Sequence, residues 1–344
     1  MDRSLNTTRR LLTSQALVWM VSACGGGGGS NPAPAATPAP AAPSSIVKPR
    51  GTAASAGSTN SAVVNHPQSQ GALIRTGWNQ IEPSPGVFDF RPIDNQLSVL
   101  KAANKKWSLA VLAGPTAPTW LYASPYNVSP LSIVFRSQPV QVPKFWDATL
   151  QTRLAALAQA LAARYKDDAS LQLVYLPQMT GNGVEGHFNG NTDTSLSAQG
   201  LTEDLWVGAV LQGVTAFSQA FANKPVAIEL HYILSSANAG RRVMQAIEAD
   251  AALLNQVGVA LWWISGKTDY QSDLLAAFAS FRGSIYAQLI DRAANASSFL
   301  NGDFATAFTQ ARSLNIKYIE PWEVDFTSHL WDTLLQDFNT YASQ

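Results

Sequence analysis

The sequence contains one cysteine, four histidines and no excess charge of either sign, since 23 basic residues balance 23 acidic ones. A single cysteine excludes an internal disulfide and any structural zinc site built from several thiolates. Zero net charge removes the electrostatic signal of a nucleic-acid-binding protein and the polybasic signal for an anionic membrane surface. Hydrophobic residues make up 46% of the chain and ten residues are tryptophan, so the composition indicates a globular, aromatic-rich protein.

Several catalytic motifs are also missing. No glycine-rich phosphate loop follows a candidate strand, and neither a His-Glu-x-x-His motif nor a Gly-x-Ser-x-Gly motif occurs. These absences argue against a nucleotide-binding protein, a metallohydrolase and a serine esterase. We therefore expect neither a cofactor nor a metal ion.

The first 45 residues do not have the pattern of a folded domain. After a basic start, the uncharged stretch Leu11–Ala23 is too short to span a bilayer as a finished helix and is typical of a secretory signal. It ends in Val-Ser-Ala-Cys, which resembles the bacterial lipobox and contains the only cysteine of the chain, Cys24. The resemblance implies cleavage after a signal peptide over residues 1–23 and attachment of a lipid to Cys24.

Residues 24–45 are rich in Gly, Pro and Ala, a composition that forms flexible or extended spacers. We predict a tether there that holds a domain away from the membrane in which the lipid is inserted. Gly25 stands where Gram-negative lipoproteins of the inner membrane commonly carry an acidic residue. The resemblance therefore implies an exported protein anchored to the outer membrane.

Residues 46–344 alternate short apolar runs with helical patterns, and their length suits one (β/α)₈ barrel of the TIM type. The predicted strands are Ala62–His66, Ala72–Trp78, Trp107–Gly114, Leu171–Gln178, Val226–Ile233, Val257–Ser265, Ser284–Ile290 and Ile316–Glu320. The predicted helices include Phe145–Tyr165, Glu203–Ala222, Arg241–Gln256 and Phe304–Leu314. The first strand has the weakest pattern, so seven strands in an open doubly wound sheet remain the alternative.

Alternation within the strands predicts which side chains point into the barrel. In Val226–Ile233 one parity is apolar, which leaves Glu229 and His231 facing inward. The same test places Arg75 and Gln288 inside the barrel. Charged and amide groups are costly in an apolar interior unless they are paired or used, and in such barrels they concentrate at the C-terminal face.

Four segments resemble clan A glycoside hydrolases, especially their beta-galactosidase-like members. In Gly71–Phe90 an Arg and a Trp precede a Glu-Pro pair, a Pro-Gly turn and Phe-Asp-Phe, as in the second-strand region of that clan. The similarity continues in Ala117–Leu121, Gly181–Phe188 and Tyr318–Asp325, and it covers most of residues 60–326. It implies a barrel that hydrolyses glycosidic bonds.

The resemblance also implies catalytic residues. Glycoside hydrolysis uses one carboxyl group to protonate the leaving oxygen and another to attack, or to activate water. The clan's acid/base Glu follows strand four, which implies Glu185, although Val184 replaces the Asn that usually precedes it. The clan's nucleophile ends strand seven, where this chain has Gln288, so we predict Glu320 on the last strand as a substitute. Glu320 would itself be the expected residue if the strand count were off by one. The alternatives to it are Glu229 and Asp291.

Other side chains are predicted to bind the sugar. Arg75 would hydrogen-bond the nucleophile carboxylate and keep it ionised. Aromatic rings suit the apolar faces of pyranoses, but only one ring of the adjacent pair Trp262 and Trp263 can face a sugar. Glu82 is interpreted as a structural turn residue. The predicted substrate-binding residues are Arg75, Trp78, Trp120, Asn182, His187, Glu229, His231, Trp262, Gln288 and Trp322.

These observations favour a retaining glycoside hydrolase that acts on a polysaccharide or oligosaccharide with two carboxylates. The alternative is a non-catalytic carbohydrate-binding lipoprotein on a degenerate barrel, which Gln288 and Val184 both favour. A third hypothesis is a scaffolding lipoprotein, which would lack an aromatic-lined cleft at the C-terminal ends of the strands.

Overall fold

The computed structural model describes residues 46–55, 57 and 59–344, so the predicted signal peptide, Cys24 and tether lie outside the described residues. The strands are β1 (Gly51–Ser55), β2 (Gly71–Gly77), β3 (Lys106–Leu112), β4 (Pro130–Phe135), β5 (Gln138–Pro143), β6 (Leu171–Tyr175), β7 (Val226–Glu229), β8 (Val257–Ile264), β9 (Ile285–Leu289) and β10 (Tyr318–Glu320). The α-helices are α1 (Ser61–Val64), α2 (Trp78–Ile81), α3 (Arg91–Ala102), α4 (Ala148–Tyr165), α5 (Asp193–Ser197), α6 (Glu203–Ala220), α7 (Asn238–Ala249), α8 (Ala251–Gln256), α9 (Ser272–Ser280), α10 (Ala305–Ser313), α11 (Glu323–Thr327) and α12 (Asp332–Ser343). Short 3₁₀ helices lie at Gly114–Thr116, Thr119–Tyr122, Ala296–Ser298 and Leu300–Gly302.

Eight parallel strands close into a barrel in the order β1-β10-β9-β8-β7-β6-β3-β2. The closing pair is β1 with β10, where Gly51 lies opposite Tyr318. This confirms the predicted (β/α)₈ barrel and excludes the open doubly wound sheet. In barrel order, β6 is strand four, β9 is strand seven and β10 is strand eight.

The predicted first strand is wrong, because residues 61–64 form α1 and the first strand is β1. All five residues of β1 are buried, but its sequence is Gly-Thr-Ala-Ala-Ser, which has no apolar run to mark it. Small side chains are required here: Gly51 has a φ of +85°, and a Cβ would lie 2.6 Å from Asn339 Oδ1. The total of eight strands still holds, so Gln288 and Glu320 are on strands seven and eight.

An antiparallel hairpin, β4–β5, interrupts the barrel between strands three and four, and the sequence pattern did not reveal it. Its turn residues Arg136 and Ser137 have φ angles of +50° and +62°, as a tight hairpin turn requires. Asn191 accepts a hydrogen bond from the Val134 amide at 2.8 Å, and a Cβ on Gly181 would lie 2.4 Å from the Phe135 ring. The hairpin therefore braces the long loop that follows β6.

The core has two layers, one between strands and helices and one inside the barrel. Trp107 points outward and meets Tyr165 of α4 edge to face, with ring centroids 5.4 Å apart. Trp263 also belongs to the outer layer, whereas Trp262 belongs to the barrel interior. The predicted strand alternation is thus confirmed. Within residues 46–344, apart from 56 and 58, no helix is long and apolar enough to cross a membrane.

Candidate active site

The polar residues of the barrel interior lie at the C-terminal ends of the strands, as the alternation predicted. Glu229 and Glu320 end β7 and β10, and Gln288 is the last residue but one of β9. Arg75 lies near the end of β2, and Glu185 lies in the loop that follows β6. Five of the predicted site residues therefore meet at one end of the barrel.

Local hydrogen bonds hold the loop with Glu185 in one conformation. The Asn182 side-chain oxygen accepts from the amides of Val184 at 3.1 Å and Glu185 at 2.8 Å. Gln178 donates to the Val184 carbonyl at 2.6 Å. Gly183 has a φ of +86°, and a Cβ there would lie 2.5 Å from the Ala113 nitrogen. The glycine lets the loop pass against the end of β3, and Asn182 positions Glu185.

Glu185 and His187 form a pair with Oε2 and Nε2 3.1 Å apart. Burial opposes the ionisation of Glu185, but the hydrogen bond to His187 and the charges of His187 and Arg75 bring its pKa below the ordinary value. Burial also opposes protonation of His187, yet the hydrogen bond and the charge of Glu185 raise the pKa of this imidazole. The pair therefore favours one shared proton at neutral pH.

Glu229 is completely buried beside this pair. Its Oε2 accepts from the Gly186 amide at 2.7 Å and lies 2.9 Å from His231 Nδ1, while Oε1 accepts from the Trp262 amide at 3.1 Å. Burial and the charge of Glu185 raise the pKa of Glu229 well above its ordinary value. Burial lowers the pKa of His231 to about 3, so its imidazole is neutral.

Glu320 is also completely buried, near the axis of the barrel. Its Oε1 accepts hydrogen bonds from the hydroxyls of Tyr318 at 2.8 Å, Tyr175 at 3.1 Å and Ser108 at 3.1 Å. Its Oε2 has no partner among the residues that the structure describes. Burial raises the pKa of Glu320 to about 7, against the effect of the Tyr318 hydrogen bond and the Arg75 charge.

Arg75 binds the amide of strand seven. Its Nη2 donates to Gln288 Oε1 and Ser55 Oγ, each at 2.6 Å. The guanidinium lies between two indole rings, 5.2 Å from the Trp262 centroid and 5.4 Å from the Trp322 centroid. Arg75 therefore binds an amide oxygen at the position where the clan resemblance implied a nucleophilic carboxylate.

Two of the predicted aromatic platforms are wrong. Trp78 has no exposed surface and donates from Nε1 to Glu82 at 2.8 Å, so it cannot stack on a sugar. Trp262 is only 4% exposed and lies between Arg75 and Tyr175. Burial inside the fold, rather than a sugar, accounts for both of these indoles.

Glu82 is structural, as interpreted from the sequence. It is completely buried, and besides Trp78 it binds Arg153 and the Gly86 amide. Trp120 belongs to the same group, since its Nε1 donates to the Glu82 carbonyl at 3.1 Å and the Arg153 guanidinium lies 5.2 Å from its ring.

Asp291 and Trp322 have different surroundings. Asp291 accepts from Arg292, Asn295 and Ser298 at 2.8–2.9 Å, which makes it a local cap for the turn that follows β9. Trp322 is half-buried and donates to the Leu289 carbonyl at 3.0 Å, so part of its ring stays open beside Arg75. Trp322 remains the predicted platform nearest to the polar residues.

A pocket of about 410 Å³ adjoins the Glu185–His187 pair. His187, His231 and Tyr270 line it, together with Tyr232 and Gln271. Tyr232, Tyr270 and Gln271 were not predicted as site residues. Tyr270 and Gln271 lie in the loop after β8, which has no sequence periodicity, and Gln271 adopts a φ of +49° that no pattern reveals.

One group of side chains in the described part of the chain could hold a metal ion: His66, His329 and Asp332. His66 Nε2 lies 3.0 Å from Asp332 Oδ1, and His66 Nδ1 accepts from the Gln68 amide at 3.2 Å. Because Nδ1 accepts from that amide, the proton of neutral His66 is on Nε2, the nitrogen that faces Asp332. In a metal site this nitrogen would bind the metal, and Nδ1 would instead carry the proton and donate it to a neighbouring group. The donor pattern therefore fits a hydrogen-bonded cluster rather than a metal site.

Comparison with known proteins bears on the fold and on one segment of the sequence. Residues 68–177 match the family model of glycoside hydrolase family 42, described as beta-galactosidase, and the match ends before Glu185. No curated protein matches the chain. The catalytic domain of beta-amylase from Paenibacillus polymyxa is similar in structure, with a TM-score of 0.57 and 9% identity over 85% of this chain and 97% of that one.

An endo-beta-1,4-xylanase of glycoside hydrolase family 10 from Gloeophyllum trabeum is also similar, with a TM-score of 0.50 and 14% identity over 80% of this chain and 84% of that one. At identities this low, the similarity to the two solved structures establishes the barrel fold alone. The similarity in sequence comes from the family match over residues 68–177. The chain is thus similar in fold to these solved structures, and similar in sequence over residues 68–177 to a family of glycoside hydrolases.

Proposed function

We propose that the chain is a glycoside hydrolase that cleaves a polysaccharide or oligosaccharide, with Glu185 as the acid/base residue. The observation that carries the proposal is the Glu185–His187 pair, 3.1 Å apart at the C-terminal end of the barrel. The Glu185 side chain is 22% exposed and that of His187 is 13% exposed, whereas Glu229 and Glu320 have no exposed surface. Among these carboxyl groups, Glu185 is therefore the one with exposed surface.

The pair also provides the proton that the reaction needs. Cleavage of a glycosidic bond requires a proton on the leaving oxygen. In the proposal Glu185 transfers this proton and His187, which shares it in the resting enzyme, is a positioning residue. The water that later attacks the sugar returns a proton to the pair, so the cycle is balanced.

Glu320 is the proposed second carboxylate. The Arg75 charge acts on it, and its Oε2 has no partner among the described residues. In the proposed step the ionised form of Glu320, which predominates above its pKa of about 7, attacks the anomeric carbon through Oε2 while the bond to the leaving oxygen breaks. Water then releases the sugar with retention. Because Glu320 is buried, this step requires that the bound sugar enters the mouth of the barrel.

A second candidate function is sugar binding without hydrolysis. The observation that favours it is the Arg75–Gln288 hydrogen bond of 2.6 Å, because an amide cannot act as the nucleophile at this position. The aromatic faces and the pocket beside His187 would then serve recognition alone.

Hydrolysis of a panel of aryl glycosides and bacterial polysaccharides separates the two functions. The wild-type chain is compared with Glu185→Gln and Glu320→Gln, and Glu248→Gln on α7 is a control that changes a carboxylate of the outer helix layer. Circular dichroism verifies the fold of each variant. The anomeric form of the first product, followed by NMR, reports whether the reaction retains or inverts.

Loss of activity in both site variants, with the control active, supports the two-carboxylate mechanism. Loss in Glu185→Gln alone rejects Glu320 as the nucleophile and leaves Glu229 to be tested. A wild-type chain that binds a glycan and releases no product rejects the hydrolase and supports the binding function.

We also propose that the chain is a lipoprotein of the outer membrane, anchored through Cys24. The support is the Val-Ser-Ala-Cys sequence at the end of an uncharged stretch, followed by Gly25 and the tether. Labelling of cells with radioactive palmitate is expected to mark the wild-type protein and not Cys24→Ser. Equal labelling of the two proteins would contradict the proposal.

A further inference from the structure

A second pocket, of about 360 Å³, lies at the opposite end of the barrel from Glu185. Its walls come from the segments that precede strands β1, β8, β9 and β10, so it opens at the N-terminal ends of the strands. It is thus separate from the proposed catalytic site.

The charges that line this pocket all have one sign. Four cationic side chains contribute to the walls, and no carboxylate does. These cations are Lys48, Arg50, Arg282 and Lys317. The zero net charge of the whole chain therefore conceals a local excess of positive charge in this pocket.

Most of this charge is not neutralised by the protein. Arg282 pairs with Glu248 at 3.3 Å, but within the described part of the chain Lys48, Arg50 and Lys317 form no ion pair. Burial, with no carboxylate to oppose it, lowers the pKa of Lys48 to about 8. Keeping like charges together in a partly buried pocket costs free energy unless an anion is bound.

Neutral groups of the fold hold these cations in place. Arg50 donates to the Ala342 carbonyl at 2.6 Å, and Lys317 Nζ lies 3.6 Å from the centroid of the Tyr341 ring. Lys48 donates to the Asn255 carbonyl. A lysine has three N–H donors and an arginine has five, so each side chain keeps donors for a ligand.

We propose that this pocket binds an anionic group of the phosphate type. Four cationic side chains line one small cavity, and their charge and remaining N–H groups match the charge and the acceptor oxygens of a phosphate. A free phosphate compound and the headgroup of an anionic phospholipid share this chemistry.

The test uses the full chain with Cys24→Ser, so that no attached lipid contributes. Inorganic phosphate is titrated calorimetrically at constant ionic strength against a sodium chloride blank. We expect saturable binding that weakens by about tenfold or more in Lys48→Gln/Lys317→Gln, because a charge-assisted hydrogen bond contributes about this factor. Lys166→Gln/Lys267→Gln removes the same charge elsewhere on the surface and is expected to bind like the parent chain.

Because Lys317 packs on Tyr341, the double variant could be misfolded, and circular dichroism verifies its fold. If the fold has changed, the single variant Lys48→Gln is used in its place. Sedimentation with phosphatidylglycerol or phosphatidylcholine vesicles distinguishes a phospholipid headgroup from a free phosphate compound as the ligand. Binding to the anionic vesicles that phosphate displaces identifies a headgroup, and phosphate binding without vesicle binding identifies a soluble phosphate compound. Absence of both, or equal binding by the parent and the pocket variant, overturns the proposal.

Discussion

Glu185 and Glu320 are the same residue type at one end of the same barrel, yet their surroundings change their pKa values in opposite directions. Glu185 lies on a loop at the rim, where a nearby imidazole outweighs its burial and lowers its pKa. Glu320 ends a strand inside the barrel, where burial outweighs three hydroxyl donors and raises its pKa to about 7. The comparison shows that burial alone does not set the charge of a carboxyl group.

The difference also bears on chemistry. Glycosidases separate the pKa values of their two carboxyl groups so that the acid keeps its proton and the nucleophile is ionised. Here the order is reversed, because Glu185 has the lowered pKa and Glu320 the raised one. The proposed roles therefore require that the pair with His187 supplies the proton and that Glu320 reacts in its ionised form. Here the rim carboxyl is open to a ligand and the interior one is closed. Variants that change one carboxyl group at a time can therefore test whether the rim and the interior differ as described.

The largest expected effect is on activity, in Glu185→Gln. Loss of the acid/base group is expected to lower kcat/KM by about 10²–10⁴-fold, the usual contribution of a positioned general acid. Because the side chain lies at the rim, the melting temperature is expected to stay near that of the wild-type chain. A loss smaller than about tenfold in steady-state kinetics would exclude Glu185 as the acid/base residue.

The next effect is on stability, in Glu229→Ala. Removing this side chain leaves the buried amides of Gly186 and Trp262 without an acceptor. Each unsatisfied group costs about 1–3 kcal/mol, so the free energy of unfolding is expected to fall by about 2–5 kcal/mol. Urea denaturation measures this, with Glu185→Ala as the rim control. Equal stability of the two variants would contradict the contrast between rim and interior.

The pH dependence of stability tests Glu320. Its pKa is raised from 4.5 to about 7 in the folded chain, so the folded state keeps a proton that the unfolded state has lost. This group therefore contributes full stability below pH 4.5, and the contribution is lost as the pH rises toward 7. The loss amounts to about 3 kcal/mol.

Glu320→Gln is expected to remove that part of the pH dependence, because the amide does not titrate. The difference between the unfolding free energies of the wild-type chain and the variant, measured by urea denaturation across this window, isolates Glu320 from other titrating groups. A difference that does not change with pH would show that Glu320 is already ionised in the folded chain.

The smallest expected effect is in His187→Asn. The imidazole holds down the pKa of Glu185, so its loss is expected to raise that pKa and move the limb of the pH–activity profile governed by Glu185 to higher pH. The shift is expected to be about one pH unit, the effect of losing one charged neighbour. His187→Gln is measured beside His187→Asn, because it also removes the imidazole but has a longer side chain. An unchanged profile would mean that the pair does not set the pKa of Glu185.

Much of the site could be predicted because strands alternate with period two. That rule correctly placed Glu229, His231, Arg75 and Gln288 inside the barrel. The aromatic residues were harder, because a period does not say how deeply a ring is covered. Trp78 is completely buried against Glu82, a contact across the short helix α2 that only packing reveals.

Other features lacked any local signal. β1 consists of small residues, so no apolar run marks it in the sequence. The basic pocket gathers side chains from Lys48 to Lys317, which no sequence window can contain. Its positive charge is also hidden in the net charge of the whole chain, which is zero.

The sequence by itself determined the alternation of strands and helices, the inward parity of the polar residues and the likeness to clan A glycoside hydrolases, because these follow from local periodicity and short motifs. The tertiary structure alone decided that Glu185 pairs with His187 at the rim, that Arg75 binds Gln288, and that Glu320 lies among three hydroxyls. Ionisation depends on burial and on neighbours across the barrel, and closure of the barrel is what brings those neighbours together.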